Sequence, residues 1–157
     1  MAFHAAANVQ SKFKKLVIGT ASTITTAEVT DEITRTEAYV VGKIDPFYDT
    51  ALIVEATAPV AFAIVKEICT LLTAGKLVDI LRKNGVENPD ENAVNRGNSM
   101  LIKAEKDLKG IMLYATEGNV PGALSLYDVA PRALGTTGAF TGQGTSVPYF
   151  KKDTEQW

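Results

Sequence analysis

Between Pro59 and Asn84 the chain places apolar side chains on two opposite faces of what reads as one helix, and this constrains the fold more than any other feature. In the first half Val60, Phe62, Ile64, Val65, Ile68, Cys69, Leu71 and Leu72 are apolar; in the second half Leu77, Val78, Ile80 and Leu81 are. Projected at about 100° per residue, the two sets centre on nearly opposite sides. Such a helix must be covered by different neighbours at its two ends, or it must bend near Thr73-Ala74-Gly75, where glycine permits a kink. Pro59 stands where a missing N–H costs nothing. Gly85 supplies a left-handed stop.

The flanking segments predict two more helices. Thr25 followed by Glu28 has capping-box spacing, which satisfies two orphan backbone donors reciprocally. From there Val29, Ile33, Val40 and Ile44 form one stripe, with Asp31, Glu32 and Arg35 assigned to the opposite, solvent side. Asp45-Pro46 ends this helix, because the residue before a proline is pushed to an extended conformation. After Gly85, Asn88-Pro89-Asp90-Glu91 supplies an N-cap, a first-turn proline and acids at the positive end of the helix dipole. Leu101, Ala104, Leu108, Ile111, Met112 and Ala115 form its inward stripe, and Gly118 ends it.

The remaining segments are less regular. Leu16-Val17-Ile18 reads as a short strand, Leu52-Ile53-Val54 as an extended piece, and Leu124-Ser125-Leu126-Tyr127 as a short strand between two prolines. Residues 135–146 are too rich in Gly and Thr for a packed element. The expected architecture is mainly α: a small bundle of three to four helices, a short β element and an extended C-terminal arm. The boundaries are an N-terminal extension over 1–24, a helical domain over 25–118 and the arm over 119–157.

Composition narrows the function. A 157-residue chain is one ordinary domain, large enough to bury roughly two-thirds of its unfolded surface. Hydrophobic residues make up 46% and charged residues 22%, with a net charge of −2. That balance excludes tight nucleic-acid binding, which needs clustered Lys and Arg. The small basic cluster Lys12, Lys14 and Lys15 reads as solvated surface. A single cysteine, Cys69, rules out an intrachain disulfide and suits a reducing compartment. No secretion signal is expected in residues 1–15. The longest apolar run, Ala56–Ala74, is interrupted by Pro59, Lys66 and Glu67, unlike a membrane span of about 20 apolar residues.

The motifs give no support to catalysis, a metal or a cofactor. The sole histidine, His4, falls in a terminus expected to fray. Cys69 lies in an apolar helical run and reads as an inert core thiol. Gly138 and Gly142 are followed by Gln143 and Pro148, not by the Gly-Lys-Ser/Thr of a P-loop. Asp45 and Asp49 lack the alternating oxygen ligands of a calcium loop and read as local caps. A site assembled from Asp45, Tyr48, Asp49 and Glu55 is the remaining enzymatic option. Tyr149, Phe150 and Trp157 are the unusual feature: burying one such side chain is worth roughly 1.5–3 kcal/mol, and aromatics often anchor interfaces. The arm is therefore expected to dock on another subunit or partner, the alternative being that it folds back onto its own bundle.

Thr25-Thr26-x-Glu28-Val29 leading into Ile33-x-x-Thr36-Glu37-Ala38, then Ile64-x-x-Ile68-Cys69-x-x-Leu72-x-Ala74-x-x-Leu77-x-x-Ile80-Leu81, then Ala104-x-x-x-Leu108-x-x-Ile111 before Gly118, resembles the head–tail connector proteins of tailed bacteriophages. The likeness covers roughly residues 20–118 and rests on helix order, spacing and residue type. It implies a non-enzymatic structural subunit of the virion neck, made in the host bacterial cytoplasm. Such a subunit assembles, commonly twelve-fold, as an adaptor ring on the portal protein and seats a neck stopper or tail protein. It extends a channel for passing double-stranded DNA without sequence-specific binding, and no membrane is involved. On this reading Tyr149, Phe150, Trp157, Leu77, Ile80 and Leu81 bind partners, and a ring supplies the neighbours that a two-faced helix needs. The alternative is a small helical protein-binding module, monomeric or dimeric, that docks a partner.

Overall fold

The computed structural model describes residues 2–13, 24–83 and 91–132. The protein is mainly helical: α1 spans Ala6–Gln10, α2 Thr26–Ile44, α3 Pro59–Lys83 and α4 Glu91–Glu117, with a 3-10 turn at Thr50–Leu52. The central element is α3, which packs against α1, α2 and α4. At a rise of about 1.5 Å per residue it is roughly 37 Å long.

The sequence signals act locally as expected at several ends. Thr25 Oγ1 accepts from the Glu28 N–H at 3.2 Å, and the Thr25 N–H donates back to Glu28 Oε2 at 2.8 Å. At the other end α2 stops at Ile44, but Asp45 is not extended as expected. It is right-handed helical at φ −55 and ψ −34, its N–H donates to the Val41 carbonyl at 2.8 Å, and the chain turns on through Phe47. Asp128 Oδ2 accepts from the Val60 N–H at 2.7 Å, capping the start of α3. Gly118, at φ +79, follows α4, and its N–H donates to the Tyr114 carbonyl. A glycine in that conformation ends a helix without Cβ strain.

Two core clusters answer the two faces of α3. The larger gathers Ala61, Val65, Ile68, Cys69 and Leu72 with Phe3, Val40, Ile44, Tyr48, Ala104, Leu108, Ile111, Leu126 and Val129. Phe3 and Phe62 stack at a tilt, their ring centroids 5.6 Å apart. The smaller joins Ala74 and Leu77 to Val9, Ile24 and Val29, with Ile33, Ile80, Leu81 and Met100 packed on its edge. The switch of face is therefore met within the chain. Gly75 marks a close contact: it is buried within α3, and a Cβ there would lie 2.5 Å from Leu101 Cγ and 3.0 Å from the Gly97 carbonyl of α4.

Other expectations are corrected. Among the described residues there is no strand; Leu124–Tyr127 has no ladder partner, and Tyr48 meets Pro131 in an isolated antiparallel bridge. Residues 50–52 coil into the 3-10 turn, because Asp49 Oδ1 caps the Ala51 N–H at 3.1 Å. Glu32 is buried, not solvated, since its carboxylate reaches Lys76 of α3 at 3.1 Å. Leu126 and Val129 pack in the core, so the chain through residue 129 is continuous with the body. The expected strand at Leu16–Ile18, the helix signals at Gly85 and Asn88–Asp90, and the Gly- and Thr-rich stretch lie outside the described residues.

Candidate interaction surfaces

His4 organises the first polar site. Its side chain is fully buried, not frayed as the sequence had suggested. Glu37 Oε1 accepts from the Phe3 N–H at 2.6 Å and the His4 N–H at 3.1 Å, and lies 3.0 Å from His4 Nδ1. A carboxylate already accepting two donors calls for the Nδ1–H tautomer, which leaves Nε2 to accept from the Thr73 hydroxyl at 2.9 Å. Burial lowers the imidazole pKa from its usual 6.5; the hydrogen bond and charge of Glu37 oppose that, and Lys66 reinforces it. Hydroxyl, imidazole and carboxylate stand in the order of a nucleophile, base and orienting acid. Yet Thr73 has 0% exposure, and neither it nor His4 lines the two surface hollows described below. What this network does is fasten the N-terminal segment to α2 and α3.

The acids at the end of α2 are held by local partners. Asp45 Oδ1 accepts from the Thr50 hydroxyl at 2.8 Å and from Arg132 at 3.5 Å, while Asp49 lies 3.8 Å from Arg132. Tyr48 is wholly buried, and its hydroxyl has no hydrogen-bond partner among the described residues. Glu55 is exposed. Among the described residues, no group of three or more His, Cys, Asp or Glu is placed to hold a metal ion. No helix among them is long and apolar enough to cross a membrane. Cys69 is buried, and burial pushes its thiol up to about 12.

The open surface features are apolar. A groove of about 690 Å³ runs along the outer side of α4, lined by Leu101, Ile102, Gly110 and Leu113 with Glu105, Lys106 and Lys109, and closed at one edge by Gly122. The edge is set by backbone: the Leu124 N–H donates to the Gly110 carbonyl at 2.9 Å. A Cβ on Gly110 would sit 2.8 Å from the Gly122 carbonyl, so only glycine admits this approach. Ile102 is 70% exposed. A second hollow of about 540 Å³, lined by Pro59, Val60, Ala63 and Ile64 with Glu67 and Asp107, lies on the other side of Leu124. Leu52, Val60 and Tyr127 are further exposed apolar side chains, at the end of the bundle where α2 stops and α3 starts.

Of the residues expected to bind partners, Leu77 is removed: it is fully buried between α1, Ile24 and α2. Ile80 and Leu81 are half-buried against the same cluster. Tyr149, Phe150 and Trp157 lie outside the described residues. Sequence reasoning missed Ile102, whose signal was an apolar residue off the inward stripe among Lys103, Lys106 and Lys109. It also missed the His4–Glu37–Thr73 network, because 33 and 69 positions separate His4 from its partners.

No family model, curated protein or solved structure matches this chain.

Proposed function

We propose that this chain is a structural subunit of a tailed-phage neck, an adaptor that joins the portal to the next neck or tail component and extends the DNA channel. The observation that carries the reading is the order of bounded helices. A capping box opens a helix that stops at Asp45-Pro46, a proline-started helix forms the centre, and a third helix ends at Gly118. These are the positions on which the resemblance to head–tail connector proteins rests. The near-balanced charge supports a channel wall past which DNA slides, since a dense basic lining would hold the phosphates. Subunit contacts run through the exposed Leu52, Val60 and Tyr127 and the outer side of α4, not through Leu77. On this reading the C-terminal arm, residues 135–157, reaches the portal or a neighbouring subunit. Electron microscopy of the purified chain mixed with its portal tests this: a closed ring on the portal is expected, and portal particles bare of added density contradict it.

A second reading, a monomeric or dimeric helical module that docks a partner in a groove, is favoured by one observation. The second face of α3 is covered from within the chain, which removes one reason for a neighbour on each side. That module leaves the portal bare and binds a helical or extended peptide along α4.

A further inference from the structure

The groove on α4 has an apolar floor, Leu101, Ile102 and Leu113, and a cationic rim, Lys106 and Lys109, both exposed. The acid among its described lining residues, Glu105, accepts a hydrogen bond from the Tyr39 hydroxyl of α2 at 3.1 Å. An occupant must bring a flat apolar group and negative charge. Asp153-Thr154-Glu155-Gln156-Trp157 has both: two carboxylates and, within the same five residues, the sole tryptophan of the chain. We propose that in the unassembled protein this segment occupies the α4 groove of its own chain, with Trp157 over Ile102 and Leu113 and with Asp153 and Glu155 facing Lys106 and Lys109.

Reach and concentration favour the same chain. The 20 residues from Ala133 to Lys152 span up to about 65 Å when extended, at roughly 3.3 Å each, whereas α4 is about 40 Å long. A tethered segment experiences an effective concentration of roughly millimolar. A contact built on one aromatic and two exposed ion pairs, each pair worth about 0.2–1 kcal/mol, is populated at that concentration and not between separate molecules at micromolar concentration. The proposal does not rest on the ring reading, because it concerns the free chain.

Trp157 is itself the reporter. In the full-length protein its fluorescence is expected to lie to the blue of the free Asp153–Trp157 peptide, independent of protein concentration. Ile102→Asp is expected to move it red to the peptide value, and the Lys106→Glu/Lys109→Glu pair part of the way. Leu52→Asp, elsewhere on the surface, leaves it in place. Far-UV circular dichroism checks the fold of each variant, and if Ile102→Asp unfolds the chain, the charge-reversed pair decides. Emission unchanged in both groove variants overturns the proposal. A blue shift that fades on dilution overturns the same-chain assignment by placing the segment on another copy.

Discussion

His4 Nε2 lies 2.9 Å from Thr73 Oγ1, so the fourth residue of the chain is hydrogen-bonded to the middle of the central helix. Replacing His4 with Ala leaves the buried Thr73 hydroxyl and the partly buried Glu37 carboxylate each short of a partner. A buried polar group left unsatisfied costs about 1–3 kcal/mol. Urea unfolding should show a loss of that size, with the helical signal of the native state retained. A change below about 0.5 kcal/mol, within the range of ordinary surface substitutions, would contradict the network.

The same histidine sets a pH dependence. Its folded pKa is lowered from 6.5, first by burial, so as pH falls below about 6.5 the unfolded chain takes up the proton before the folded one does. Stability contributed by neutral His4 is present above 6.5 and declines as the pH falls from 6.5 through the lower folded value. Denaturation midpoints of the parent and His4→Gln should therefore converge as the pH is lowered through this window. Parallel pH profiles would show that His4 is not buried neutral.

Gly97 and Gly42 make a matched pair. A Cβ on Gly97 would lie 2.9 Å from Val78 Cγ2, whereas one on Gly42 meets nothing within 4 Å. Gly97→Leu should destabilise by about 1–3 kcal/mol through overpacking between α3 and α4. Gly42→Ala should stabilise by roughly 0.5–1 kcal/mol through helix propensity. Thermal melts read both; equal effects would mean that the helices do not approach at Gly97.

Cys69 offers a probe of global opening. With its thiol buried and pushed up to about 12, almost no thiolate exists near pH 8, and the thiolate is the reactive form. Labelling by a disulfide reagent should be slow in the native protein and accelerate in step with urea unfolding. Rapid stoichiometric labelling without denaturant would place Cys69 at the surface.

Three helix ends were legible because each depends on a few adjacent residues: Thr25 with Glu28, Pro59, and Gly118. The stop at Ile44 was placed correctly but for a reason the helical Asp45 does not bear out. The alternation of faces in α3 was legible too, but its partner was not. Periodicity shows that Leu77 needs cover, not whether the cover comes from Val9, Ile24 and Val29 or from a second molecule. Glu32 was misplaced because the helical projection grouped it with Asp31 and Arg35 off the apolar stripe, while Lys76 on the next helix lets its carboxylate stay inside. The segment 124–127 has strand-like residues but no second strand to pair with among the described residues, and a ladder is a property of two segments. The α4 groove depends on the backbone approach of Gly122 to Gly110, which leaves no periodic trace.

The most direct test of the neck-adaptor account is native mass spectrometry of the full chain with and without its portal. The account predicts a closed ring of many copies bound to the portal oligomer, one discrete stoichiometry with no ladder of partial occupancies. A chain that stays monomeric and leaves the portal mass unchanged, under conditions where both are folded, would contradict it.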